Sequence, residues 1–202
     1  MTLEQVLERI PPLDAEAMAQ AKQHWDALAK PLHGLGDLED ILIRIAGICR
    51  TPRIDLRNKA VVVMCADNGV VAEGISQSGQ DVTQIITENL GKGTSTVCHM
   101  ARAAGADVIP VDIGVASDIH GSGVVHRKIA RGTHNFAKQP AMSRDQAVQA
   151  IGVGIETALL CRQHGYDVVA TGEMGIGNTT STAAVTAALL HAPGELVTGR
   201  GS

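Results

Sequence analysis

Asp167-Val-Val-Ala-Thr-Gly172-Glu-Met-Gly175-Ile-Gly177-Asn-Thr-Thr-Ser-Thr-Ala-Ala184 decides the fold. A short apolar run leads into a glycine-rich turn, and the turn leads into the Ala/Leu-rich stretch 183–190. Strand, turn and helix in that order gather backbone N–H groups around an anion. Glu173 stands at the strand end, where open α/β sheets bind their ligands. The segment therefore pairs an anion cradle with a carboxylate beside it.

Working outward, two more continuous apolar runs end in acids. Val61-Val-Val-Met-Cys-Ala66 precedes Asp67, and Asp107-Val-Ile-Pro-Val111 precedes Asp112. Runs that do not alternate suit strands buried on both faces, as in parallel sheets. Pro110 points to an edge position or a bulge. Helical periods fill the gaps: 82–90 with Val82, Ile85 and Ile86 on one face, and 94–104 with Val97, Met100 and Ala104. A third opens on the capping box Ser143-Arg-Asp-Gln146 and runs to Gly165. Residues 115–142 are polar and glycine-rich, read as a long excursion with a hairpin around Gly121-Ser-Gly123. The strand–helix alternation predicts an α/β fold, a Rossmann-like parallel sheet with flanking helices.

Residues 1–50 read as helices belonging to a small domain, and 51–202 as the nucleotide-binding domain. Leu3–Ile10 stops at Pro11-Pro12. Asp14 caps a helix to about Ala29, and 38–49 carries Leu38, Ile41, Leu42, Ile45 and Ile48 at helical spacing.

Composition excludes several classes. Trp25, Phe136 and Tyr166 are the only aromatics among 202 residues, which argues against stacking platforms for single-stranded nucleic acid. A net charge of −4 with no basic cluster argues against nucleic-acid or anionic-membrane partners. No apolar run reaches the ~20 residues of a membrane span, and no secretory leader is evident. Cys49, Cys65, Cys98 and Cys161 lack metal-ligand spacing and read as buried, reduced thiols of a cytoplasmic protein. The histidines form no metal pattern, so neither a metal nor a cofactor is expected.

Three acids at strand ends, Asp67, Asp112 and Glu173, would converge on one crevice in a parallel sheet. Each also has the plainer reading of a turn cap, which is preferred for Asp112. The turn itself is not a P-loop, because Asn178 stands where the phosphate-reaching lysine belongs. Nor is it a dinucleotide fingerprint, because Thr180 replaces the third glycine. A neutral turn with Asn178, Thr179, Thr180 and Ser181 suits a phosphate monoester. The loop Glu73-Gly-Ile-Ser-Gln-Ser-Gly-Gln-Asp81 offers small polar groups to a heterocycle, or is an ordinary surface connection.

These motifs together resemble the nicotinate-nucleotide–dimethylbenzimidazole phosphoribosyltransferase family. The resemblance extends over essentially the whole chain. It is carried by Lys30-Pro-Leu-His-Gly-Leu-Gly-Asp-Leu-Glu39, Val63-Met-Cys-Ala-Asp-Asn-Gly-Val70, Glu73-Gly-Ile, Val82-Thr83, Val111-Asp-Ile-Gly114, Ala130-Arg-Gly-Thr-His-Asn135, Pro140-Ala-Met-Ser143 and Gly172-Glu-Met-Gly-Ile-Gly-Asn-Thr-Thr180. It implies transfer of phosphoribose from nicotinate mononucleotide to an azole or phenolic base in cobalamin assembly. Nicotinate leaves, and no metal or cofactor takes part. It implies a phosphate and ribose site at Met174, Gly175, Gly177, Asn178, Thr179 and Gly201, with Glu173 in an auxiliary catalytic role. Asp67, Asn68, Ser78 and Gln84 are the implied base pocket, and a homodimer is the implied assembly. Asn68 stands where many members carry His, His33 and Asp37 alter the Lys30–Glu39 joint, and Gly79 replaces a common Pro. Family members continue past the position of Ser202, where the resemblance places the main general base. The expectation is therefore an N-terminal portion of the enzyme, the alternative being a non-catalytic nucleotide-binding fragment.

Overall fold

The computed structural model describes residues 3–201 and divides the chain into two compact units, Met1–Leu56 and Arg57–Ser202. The first is helical: α1 (Leu3–Leu7), α2 (Ala15–Ala27) and α3 (Asp37–Cys49). Asp14 caps α2, its Oδ1 accepting from the Ala17 amide at 2.9 Å. α2 lies close on α3 because Gly47 has no side chain; a Cβ there would stand 2.7 Å from Met18 Cγ. The apolar period of α3 does not mark its buried face. Leu38, Ile41 and Ile48 are exposed, while Glu39, Ala46 and Gly47 are buried.

Glu39 tolerates burial because its Oε1 has both a counter-charge and an amide donor. Lys30 Nζ lies 2.8 Å from its carboxylate, and the Leu35 amide donates to it at 3.0 Å. The Lys30 hydrogen bond first, and the Leu35 amide second, hold its carboxyl below the ordinary 4.5. A lowered carboxyl contributes stability that is present above the unfolded value and lost as pH falls through the folded one. Lys30 also sits 5.9 Å from the ring of Trp25, the chain's one tryptophan. Acid titration followed by Trp25 fluorescence is expected to show a transition below pH 4.5 that Glu39→Gln flattens. An identical acid limb in the two proteins would remove Glu39 as its cause.

The second unit is built on four parallel strands, β1 (Lys59–Ala66), β2 (Ala106–Gly114), β3 (Val125–His126) and β4 (Val168–Met174), in the order β3-β2-β1-β4. Its helices are α4 (Asp81–Gly91), α5 (Thr96–Ala103), α6 (Arg144–Gln163), α7 (Asn178–Leu190) and α8 (Gly194–Val197). Successive β1 side chains point to opposite faces. Val63 and Cys65 pack with Leu90 and Cys98 of α4 and α5, whereas Val62 and Met64 pack with Cys161 and Val153 of α6. Burial pushes the Cys65 thiol up to about 11. Cys98 and Cys161 are buried as expected, but Cys49 is exposed, at the last turn of its helix.

Several expectations change here. Pro110 lies in an inner strand of the sheet, but at a position that is locally an edge. It is tolerated because β3 pairs only with Val111 and Asp112, so residues 106–110 have β1 alone as a neighbour. The register irregularity falls between Cys65 and Ala66 instead. Residues 121–123 form no hairpin; the chain turns and returns as β3, parallel to β2. On α4 the buried positions are Thr83, Thr87 and Leu90, and Ile85 is exposed. On α5 they are Cys98 and Ala101, and Met100 is exposed. The capping box of α6 is formed on both sides. Among the described residues no helix is long and apolar enough to cross a membrane.

Candidate functional site

The parallel registers bring the ends of β1, β2 and β4 to one edge. Cys65 is opposite both Asp112 and Met174, and Met64 is opposite Glu173. The three acids do not share a crevice, however. Asp112 is 1% exposed; its Oδ1 accepts from the Val115 amide at 2.9 Å and its Oδ2 pairs with Lys128 Nζ at 3.1 Å. It is the turn cap that the plainer reading assigned. Asp67 is equally buried and holds the start of the excursion. Its Oδ2 accepts from the Ala116 amide at 2.7 Å, and its carbonyl accepts from Thr133 N. Glu173 alone is exposed, its one side-chain bond a 3.3 Å contact from Thr182 Oγ1.

The glycine-rich turn after β4 is set by close approach. A Cβ on Gly175 would lie 1.8 Å from the Ala66 carbonyl oxygen. Gly177 has φ +84° and faces Val71, with 2.8 Å between its absent Cβ and Cγ2. α7 then begins at Asn178, whose Oδ1 accepts from the Thr179 amide at 2.9 Å. The helix start opens on a cavity of about 140 Å³ walled by Gly177, Asn178, Thr179, Thr180, Ser76 and Thr198, among others. Gly199 and Gly201 close it; a Cβ on Gly201 would stand 2.8 Å from Thr179 Oγ1. No carboxylate is among the lining groups, and hydroxyls and backbone amides dominate. That chemistry suits a phosphate at a helix N-terminus.

Met174 and Glu173 lead out of the turn into a second, larger cavity of about 460 Å³. Its walls include Val63, Ile86, Leu90, Val97 and Met174. Its size falls within the ~300–1,000 Å³ usual for small-molecule sites. The end of β4 therefore borders a larger, mainly apolar cavity, and the start of α7 a small polar one.

The four residues assigned to the base pocket are not among the walls of the larger chamber. Asp67 is buried as described. Asn68 donates from Nδ2 to the Ile176 carbonyl at 3.2 Å and accepts on Oδ1 from Ser181 Oγ at 2.8 Å, so it holds the turn. Gln84 donates to the Asp118 carbonyl at 3.1 Å, binding the excursion to α4. Ser78 is exposed in the loop before α4, where its amide donates to Ser76 Oγ. Sequence reasoning reached Ser76 only as part of the loop 73–81, gave Thr83 no role and did not find Thr198. Thr83 carried a signal in its spacing with Thr87, two hydroxyls four apart on a helix of otherwise apolar period. Among the described residues, no group of three or more His, Cys, Asp or Glu is arranged to hold a metal ion.

The strand ends of this parallel sheet thus carry a neutral anion cradle and one exposed carboxylate. A family model for phosphoribosyltransferases matches residues 10–202, and the chain belongs to that family. Among its relatives is the nicotinate-nucleotide–dimethylbenzimidazole phosphoribosyltransferase of Alkaliphilus metalliredigens, 44% identical over 99% of this chain and 58% of the relative. The protein of the same name from Chloroflexus aggregans is 47% identical over 99% of this chain and 57% of its own length. The crystal structure of the Thermus thermophilus enzyme superposes with a TM-score of 0.88 at 41% identity, over 93% of this chain and 57% of that one. The chain thus spans a little over half the length of these relatives.

Proposed function

We propose that this chain provides the nucleotide-binding part of a transferase that moves phosphoribose from nicotinate mononucleotide to a lower-ligand base. The base is an azole such as dimethylbenzimidazole, or a phenol. The carrying observation is the polar chamber at the start of α7 with Glu173 one strand-end away. The nucleotide phosphate binds the amides of Gly177 and Thr180 and the hydroxyls of Thr179 and Thr180, with Gly175 letting the turn close on Ala66 and Gly201 allowing close approach to Thr179. Fixing the phosphate fixes C1′, and positioning of this kind lowers the barrier to displacement. Glu173 assists by stabilising positive charge as the bond to nicotinate breaks and by helping to take the azole proton. The base attacks opposite the departing nicotinate, so C1′ inverts and an α-ribotide forms. The relatives' names support these substrates. A homodimer acting in the cytoplasm completes the proposal.

Calorimetric titration of the chain with nicotinate mononucleotide, paired with a turnover assay on dimethylbenzimidazole, tests the reading. Saturable binding supports it, and no binding at millimolar nucleotide overturns it. In the polypeptide that carries the activity, Glu173→Gln is expected to lower kcat by roughly 10²-fold while leaving nucleotide affinity within a few-fold. An unchanged kcat would remove Glu173 from the chemistry.

A further inference from the structure

The turn between β4 and α7, residues 175–177, has two glycines among its three residues, Gly175 and Gly177. Such a segment loses more conformational entropy on ordering than most, and an anion site built on it needs something to hold it. Local packing supplies part of that. The rest comes from two side chains distant in sequence that grip one residue. Thr83 Oγ1 accepts the Ile176 N–H at 3.1 Å, and Asn68 Nδ2 donates to the Ile176 carbonyl at 3.2 Å. Asn68 Oδ1 in turn accepts from Ser181 Oγ, in the first turn of α7.

Thr83 is 0% exposed, although it lies in the first turn of α4, two residues after the exposed Asp81. Thr87 donates to its carbonyl at 2.7 Å, a bond that leaves the Thr83 hydroxyl free for the turn. The main chain around Asn68 is also held, since Gln80 Nε2 donates to its carbonyl at 3.3 Å. Ile176 is therefore held at both its backbone polar groups, directly ahead of the residues that wall the polar chamber.

We propose that Thr83 and Asn68 are positioning residues, gripping Ile176 so that the start of α7, with the amides of Gly177 and Thr180 and the hydroxyls of Thr179 and Thr180, is aimed at an anion before it arrives. The proposal rests on the reading of this turn as the phosphate-binding element. Neither side chain need touch the ligand. Their effect is preorganisation, which strengthens binding by lowering the entropy lost on ordering.

The test compares Thr83→Val, Thr83→Ser and wild type as the whole chain. Valine keeps the volume and removes the acceptor; serine keeps the acceptor. Two readings are taken: affinity for nicotinate mononucleotide by calorimetry, and amide hydrogen exchange at Ile176 and residues 178–180 by NMR. Thr83→Val is expected to weaken nucleotide binding by roughly tenfold or more and to speed exchange at Ile176, because a part-buried donor loses its partner. Thr83→Ser is expected to stay within about twofold of wild type in both readings. Wild-type affinity and protection in Thr83→Val would overturn the proposal. If Thr83→Val does not fold, Asn68→Ala on the half-buried loop carries the same two readings. If wild type itself binds no nucleotide, the phosphate reading fails and the exchange data decide the grip alone. Loss of Ile176 protection in the valine but not the serine variant would uphold it, and equal protection would overturn it.

Discussion

Gly175→Ala is expected to destabilise the sheet unit by ~3 kcal/mol or more and to abolish nucleotide binding. The added methyl would sit 1.8 Å from the Ala66 carbonyl oxygen, 3.0 Å from the Ala66 carbonyl carbon and 3.0 Å from Asn68 Nδ2. The first two are backbone atoms at the end of β1, which is bonded to β2 on one side and β4 on the other. They have nowhere to go. The clash is relieved only by splaying the end of β4 or rotating the turn, and either pulls Ile176 from Thr83 and Asn68. The glycine is required by proximity and not by backbone angle, since its φ lies outside the left-handed region. Gly152→Ala, in the exposed face of α6, is the matched control. No atom lies within 4 Å of the position its methyl would take, and removing a mid-helix glycine is expected to stabilise by ~0.5–1 kcal/mol. Urea unfolding followed by circular dichroism reads both, and calorimetry reads binding. A Gly175→Ala protein within ~1 kcal/mol of wild type would show that the turn is softer than the contact distances require.

How far the sequence reveals this site depends on how local each feature is. The turn was legible because strand, glycines and helix are consecutive, and three parallel strands follow from uninterrupted apolar runs. The capping role of Asp112 was legible for the same reason, its partner Val115 being three residues on. The Ile176 grip was not. It joins residues separated by 93 and 108 positions, and no local period encodes a hydrogen bond across that span. The buried face of α4 was missed because hydrophobic period alone ranks Ile85 above Thr83. A threonine whose hydroxyl is partnered is buried at small cost, so partnering and not hydropathy decided the face. Asn68 illustrates the converse: the family resemblance implies a place in the base pocket, whereas the role its bonds show, with both ends of its side chain engaged by the turn, is invisible from its neighbours in sequence. The excursion resisted reading because polar, glycine-rich chain has no period. Its order comes from contacts made one at a time, such as Thr133 Oγ1 accepting from Gly69 N and Glu73 held by Asn135 and Lys138.

The strongest of those contacts makes the second large prediction. Lys128 Nζ reaches from the excursion to the end of β2, where it pairs with Asp112 Oδ2 at 3.1 Å and donates to the carbonyls of Val115 and Ser117. Asp112 is 1% exposed, so Lys128→Met leaves a buried carboxylate without its counter-charge. Breaking a buried pair from one side costs ~3–5 kcal/mol, more than the pair contributes, because the remaining charge stays desolvated. Lys128→Met is therefore expected to lower stability by ~3 kcal/mol, with faster amide exchange at residues 115–118. Adding Asp112→Asn to it should recover part of the loss. Asparagine keeps an oxygen for the Val115 amide while removing the stranded charge, so the double variant is expected to be more stable than Lys128→Met alone. That inversion separates a charge effect from lost packing: if Lys128→Met acts by deleting the lysine's aliphatic stem, the second substitution adds damage instead of relieving it. The consequence reaches the site through Asp67 and Gln84, which bind Ala116 and Asp118 of the same segment. Loosening residues 115–118 frees the far side of α4, the helix that carries Thr83. Nucleotide affinity in Lys128→Met should then fall less than in Thr83→Val, although the stability loss is larger. The opposite ranking would mean that the excursion, and not the grip on Ile176, sets the geometry of the turn.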